Sequence, residues 1–91
     1  MRWDTHYVAR PKKVLDAVLR GQSDANIRFL DLCSLLTALG FSQRVRGDHH
    51  IFYRDEVAEI LNLQPKAGRA KIYQVKQVRA VILKYKLALG S

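Results

Sequence analysis

The chain is poor in residues that staple a fold from outside. Cys33 is the only cysteine among 91 residues, which excludes an internal disulfide and every zinc motif built on several thiolates. A lone cysteine also points to a reducing compartment. Long apolar runs are missing: no stretch approaches the ~20 residues that span a bilayer, and the sequence opens on nothing resembling a signal peptide. No membrane partner is expected. Internal repeats and low-complexity segments are absent as well.

Acid is scarce, and its distribution is informative. Sixteen Lys and Arg stand against eight Asp and Glu, a formal net charge of +8. Glu59 is the last acidic residue; Lys66, Arg69, Lys71, Lys76, Arg79, Lys84 and Lys86 follow it unopposed. A carboxylate-free basic third suits a polyanionic partner, with lysine and arginine gripping phosphates. A composition 48% hydrophobic and 26% charged belongs to a globular chain, and this length supports one core.

Residues 1–10 carry no usable period, with Trp3 and Tyr7 free to dock or fray. "PKKVLDAVLRG" predicts a short helix: Pro11 suits a first helical position and Gly21 the residue past the end, with Val14, Leu15, Val18 and Leu19 as its apolar stripe. "QSDAN" is a polar linker. "IRFLDLCSLLTALG" is a stronger helix, its Phe29, Leu32, Cys33, Leu35, Leu36 and Leu39 at three- and four-residue spacing and Gly40 closing it. Cys33 reads as a core residue on that stripe.

The period then shortens from 3.6 to 2. In "FSQRVR", Phe41, Gln43 and Val45 face one way and Ser42, Arg44 and Arg46 the other. Gly47-Asp48 is a Gly-X hairpin turn, "HHIFYR" returns as a second strand, and "EILNLQ" forms a third that Pro65 ends. "PKAGRAK" is a basic loop, and "YQVKQVRAVILKYKLAL" a final helix with Val75, Val78, Ile82 and Tyr85 on one face. This order predicts an α+β fold in which helices cover one face of a three-stranded antiparallel sheet and leave the other open. We divide it into an N-terminal extension with a short helix, residues 1–26, and a main domain, residues 27–91.

"LLTALGF", "VRGDHHIFYR", "NLQP" and "YQVKQVRAVILKYKL", in that order and spacing, resemble the HicA family of bacterial toxins over roughly residues 27–87. The resemblance implies a fold like the double-stranded-RNA-binding domain and an mRNA-cleaving endoribonuclease. It also implies a HicB-like antitoxin that masks the active surface, and a location in the bacterial cytoplasm. The family's catalytic histidine, at the start of the second strand, maps onto His49 or His50. Asp48 departs from the family, which has Ser or Thr there; a carboxylate would repel a phosphate that a hydroxyl would assist.

The residues can also be read without the family. Neighbours on a strand point to opposite faces, so His49 shares a side with Ile51 and Tyr53, and His50 with Phe52 and Arg54. Paired acid and base duty is therefore disfavoured, and one histidine works while the other supports the strand. Arg54 on its face inclines the reading to His50. Diverging histidines without CxxC or His-x-x-x-His do not demand a metal, even with Asp48 and His6 to recruit, and no cofactor is implied. Histidine alone suffices to move a proton from a ribose 2′-hydroxyl, since its unperturbed pKa lies near ~6.5. Arg46, Arg54, Arg69 and Lys71 are candidates to stabilise the phosphorane, with Lys76 and Arg79 extending a phosphate-tracking groove. Tyr53 and Tyr73 are candidates to stack on bases. The alternative is a non-catalytic RNA-binding module on the same fold. A DNA-binding role fits the charge but lacks helix-turn-helix spacing in the basic third.

Overall fold

A computed structural model describes residues 9–90; Trp3, His6 and Tyr7 lie outside the described residues. Its elements run α1 (Pro11–Arg20), a 3₁₀ turn (Asp24–Asn26), α2 (Phe29–Ala38), β1 (Ser42–Arg46), β2 (His49–Tyr53), β3 (Leu61–Leu63) and α3 (Ile72–Tyr85). The strands form one antiparallel sheet in the order β1-β2-β3, with the helices on one face, as the α+β reading expects.

Periodicity becomes packing directly in α2. Phe29, Leu32, Cys33, Leu35 and Leu36 are buried on it, joined from the strands by Phe52, Leu61 and Leu63 and from α3 by Val75, Val78, Val81 and Ile82. Burial pushes the Cys33 thiol up to about 12, so it stays an uncharged core atom at neutral pH. The segment set apart at residues 1–26 shares this core: Val14 and Val18 of α1 belong to it, and α1 packs against α2 and α3. Leu19, predicted on the stripe, turns outward instead.

The hairpin turn is as tight as its dipeptide suggests. Arg46 pairs with His49 across Gly47-Asp48, and Gly47 takes a φ of +61° that favours glycine. β1 lies at the sheet margin, and all five of its residues are exposed. Val45, which alternation places on the same side as the buried Phe41, is 54% exposed because the helices do not reach over this edge. Arg44 and Arg46 give the edge charge of the kind that discourages strand-on-strand association.

Two ion pairs tie distant segments. Arg79 of α3 donates Nη1 to Asp24 Oδ1 (2.9 Å) and Nη2 to Asp24 Oδ2 (3.0 Å), and Nη1 also reaches the Val18 carbonyl at 2.9 Å. This fork holds α1 and the 3₁₀ turn on α3. Gly21, left-handed at φ +71°, makes room for it, since a β-carbon there would stand 3.2 Å from Arg79 Nη1. At the other end of α3, Glu59 accepts from Lys84 Nζ (2.9 Å) and the Tyr85 hydroxyl (2.7 Å), which pins the connection between β2 and β3. Among the described residues no helix is long and apolar enough to cross a membrane.

Both carboxyls titrate low for these reasons: the Arg79 fork holds Asp24 below its ordinary range, and Lys84 with Tyr85 draws Glu59 down to about 2. A carboxyl with a folded pKa below its unfolded one adds stability that is complete above the unfolded value, about 4 for these groups. That contribution is lost as pH falls towards the folded value. Urea midpoints should therefore drop between about pH 4 and pH 2, and Asp24→Asn or Glu59→Gln should each flatten that acid limb. An unchanged acid limb in both variants would mean that neither pair holds the fold.

Candidate nucleic-acid interface

The pleat sorts β2 into two sides, and Phe52 sets which is which. Phe52 is fully buried, so His50 stands with it on the helix side, while His49, Ile51 and Tyr53 stand on the open face. The register adds their neighbours: Arg46 lies directly across from His49, Arg44 from Ile51, Ser42 from Tyr53, and Asn62 pairs with Ile51 on the other side. The open face thus presents a histidine, two arginines, a tyrosine and an asparagine without a helix over them.

The two histidines differ in surroundings. The His49 side chain is 47% exposed, and its Nε2 stands 3.9 Å from Asp48 Oδ1, too far for a hydrogen bond. Its Nδ1 lies 3.1 Å from Asn62 Oδ1. An amide oxygen only accepts, so Nδ1 carries the proton and Nε2 keeps its lone pair in the neutral ring. His50 instead packs edge-on against Phe29, with ring centroids 4.9 Å apart, and its Nδ1 donates to Gln43 Oε1 at 2.8 Å. It lines a cavity of about 440 Å³ with Phe29, Leu30 and Pro65, away from the open face.

Asp48 is tethered. Its Oδ2 accepts from Gln64 Nε2 at 2.9 Å, and Gln64 Oε1 accepts from Lys71 Nζ at 3.4 Å. The Gln64 hydrogen bond, aided by the charges of His49 and Lys71, holds the Asp48 carboxyl below its usual range. This Lys-Gln-Asp chain connects the hairpin turn to the residue that precedes α3.

The cations expected to contact phosphate divide into two groups. Arg46 is exposed on the open face, and Arg69, Lys71 and Lys76 line a neighbouring groove. Arg54 and Arg79, half-buried, instead have their guanidinium groups bonded within the fold. Arg54 donates Nη1 to the Leu39 carbonyl at 2.9 Å and stands 4.0 Å from Glu56, so it satisfies an orphan carbonyl at the end of α2. Arg79 is the Asp24 fork. The face-sharing with Arg54 that favoured His50 therefore brings no free guanidinium to that histidine.

Three residues of this surface were not singled out beforehand. Arg44 was visible in the alternation, beside Arg46, but does not border the turn. Asn62 and Gln64 lie on or next to β3, and only the strand register reveals what they face. Among the described residues no three His, Cys, Asp or Glu side chains are grouped so as to hold a metal ion. Comparison with protein-family models, with curated proteins and with solved structures finds no match in any of the three.

The division among the arginines has a direct consequence. Arg54→Met and Arg79→Met each strand an acceptor and should lower unfolding free energy by about 1–3 kcal/mol. Arg44→Met and Arg46→Met should leave urea midpoints unchanged while weakening binding to polyanions, read by retention on heparin. Equal stability losses across all four variants would erase the distinction.

Proposed function

We propose that this chain is an endoribonuclease of the HicA toxin type, acting on mRNA without a metal and using His49 as its base. The observation that carries the reading is the open-face placement of His49, its ring oriented by Asn62, its Nε2 without a hydrogen bond among the described residues, and Arg46 directly across from it with Arg44 at the next pair on the same face. A base with a fixed tautomer, next to arginines that among the described residues make no ion pair, is the equipment that phosphodiester transfer to a neighbouring hydroxyl requires. The resemblance of residues 27–87 to HicA toxins supports the same reading.

The chemistry needs no oxidant and no second substrate. His49 Nε2 takes the proton of a ribose 2′-hydroxyl as its oxygen bonds to the adjacent phosphorus. The P–O5′ bond then breaks, leaving a 2′,3′-cyclic phosphate on one fragment and, after protonation from solvent, a 5′-hydroxyl on the other. Arg46, across the strand from His49, and Arg44 face the charge that builds on the phosphorane. Positioned proton transfer contributes roughly 10²–10⁴-fold to such a step.

Restraint of the activity follows from the same charges. An antitoxin of the HicB kind would compete with RNA by laying an acidic surface over the arginines and His49. Such a toxin would work in the bacterial cytoplasm, where its mRNA is.

Cleavage of a long single-stranded RNA in EDTA tests the proposal. Wild type and His50→Ala should cut, with cyclic-phosphate ends, while His49→Ala should lose at least about 10²-fold in rate and keep its fold by circular dichroism. Loss in His50→Ala alone would move the chemistry to the Phe29 side. RNA bound but uncut by wild type would leave a non-catalytic RNA-binding module.

A further inference from the structure

The groove beside the open face has features that cleavage at His49 does not use. It has a volume of about 950 Å³ and lies between the 64–71 loop and the first turns of α3, with Lys66, Arg69, Lys71, Tyr73 and Lys76 among its lining residues. Among the described residues none of these four cations makes an ion pair. Lys76 lies near enough to Asp24 to lower its pKa, but both Asp24 oxygens are taken by Arg79. The ammonium therefore remains available to an outside anion.

The walls are held in place. Lys66 and Arg69 exchange backbone hydrogen bonds of 2.9 and 3.0 Å around Ala67-Gly68, and both turn residues are left-handed, at φ +52° and +78°. Backbone bonds from Phe29 to Gly68 and from Ala70 to Ile27 fasten this turn to the start of α2. On the opposite wall Tyr73 is 61% exposed, an aromatic ring that the core leaves out.

Several cations lining one groove with an exposed ring fit a strand whose bases are free to stack. A duplex keeps its bases inside and has no use for the ring. Gln64 joins the groove to the histidine: it lines the groove and also holds Asp48, the neighbour of His49.

We propose that the groove is a subsite for nucleotides flanking the cleaved bond, in which a single RNA strand stacks a base on Tyr73 and lays phosphates on Lys66, Arg69 and Lys76. The identity of the strand as RNA rests on the ribonuclease reading; the groove's preference for an unpaired strand rests on Tyr73 and the cations.

A 2′-O-methyl single-stranded oligonucleotide tests it, because this probe has no 2′-hydroxyl to attack and reports binding whether or not the chain cuts. By fluorescence anisotropy, Tyr73→Ala should weaken binding by about 5- to 100-fold, with Tyr73→Phe unchanged. Lys76→Ala should weaken it and reduce the salt slope, whereas Lys13→Ala, on the exposed side of α1, should not. The proposal is overturned if wild type fails to bind the probe, or if Tyr73→Ala binds like wild type. It is overturned equally if Lys13→Ala costs as much as Lys76→Ala, or if a duplex or an acidic peptide binds with the same dependence on Tyr73. Uncut RNA in the cleavage assay, with these binding results as expected, would remove the nuclease reading and keep the groove.

Discussion

The burial of Phe52 is the constraint on which the candidate site depends. A fully buried aromatic on the middle strand cannot change sides without emptying the core, and loss of such a ring costs roughly 3–5 kcal/mol. Because strand neighbours alternate, that anchor puts His50, two residues away, under the helices' margin and His49, three residues away, into the open. A register slip by one residue would exchange the two histidines and bring Phe52 to the surface. The packing energy of one side chain thus selects which imidazole is exposed on the open face.

The same economy of position governs the charges. Half of the question posed by a basic protein is which cations are already spent on the fold. Arg79 forks onto Asp24 and Arg54 ends a helix, and each has a single partner geometry that a lysine would not reproduce. Arg44 and Arg46 sit on an edge strand whose residues are all exposed, and among the described residues their guanidinium groups find no internal acceptor. A surface salt bridge is worth little on its own, but the Asp24 fork also gathers the Val18 carbonyl and closes α1 onto α3. Its role is to join segments far apart in sequence.

How much of this could be read beforehand follows from the range of the interactions involved. The helix α1 was legible to its ends, since Pro11 and Gly21 are local signals, and so was the hairpin at Gly47-Asp48. The face assignment of His49 and His50 was legible too, because alternation is local. The sheet and the helices over one face were legible as well, but not the side-chain partners that distant segments supply. Arg54 looked like a phosphate ligand until α2 placed Leu39 beside it, and Arg79 looked free until the 3₁₀ turn placed Asp24 against it. The inclination to His50 rested on Arg54, whose guanidinium is turned to the Leu39 carbonyl. The last helix was drawn to residue 89, whereas a left-handed Lys86 ends it after Tyr85, a C-cap made without the glycine or asparagine that usually announces one.

Asp48 shows how a locally unfavourable residue is accommodated. A free carboxylate at the turn would push an anion away from His49. Here the carboxylate is not free: Gln64 holds one of its oxygens, and through the same amide Lys71 is brought to the turn. The negative charge is thereby matched locally by an ammonium that also lines the groove, and Arg46 stands on the other side of His49. A phosphate approaching His49 meets these cations together with Asp48. The amide that links Asp48 to Lys71 has a mechanical effect as well, because it ties the hairpin to the residue before α3. The groove wall and the imidazole are thus kept in fixed relation to one another, and the carboxylate of Asp48 is part of how the two surfaces are aligned.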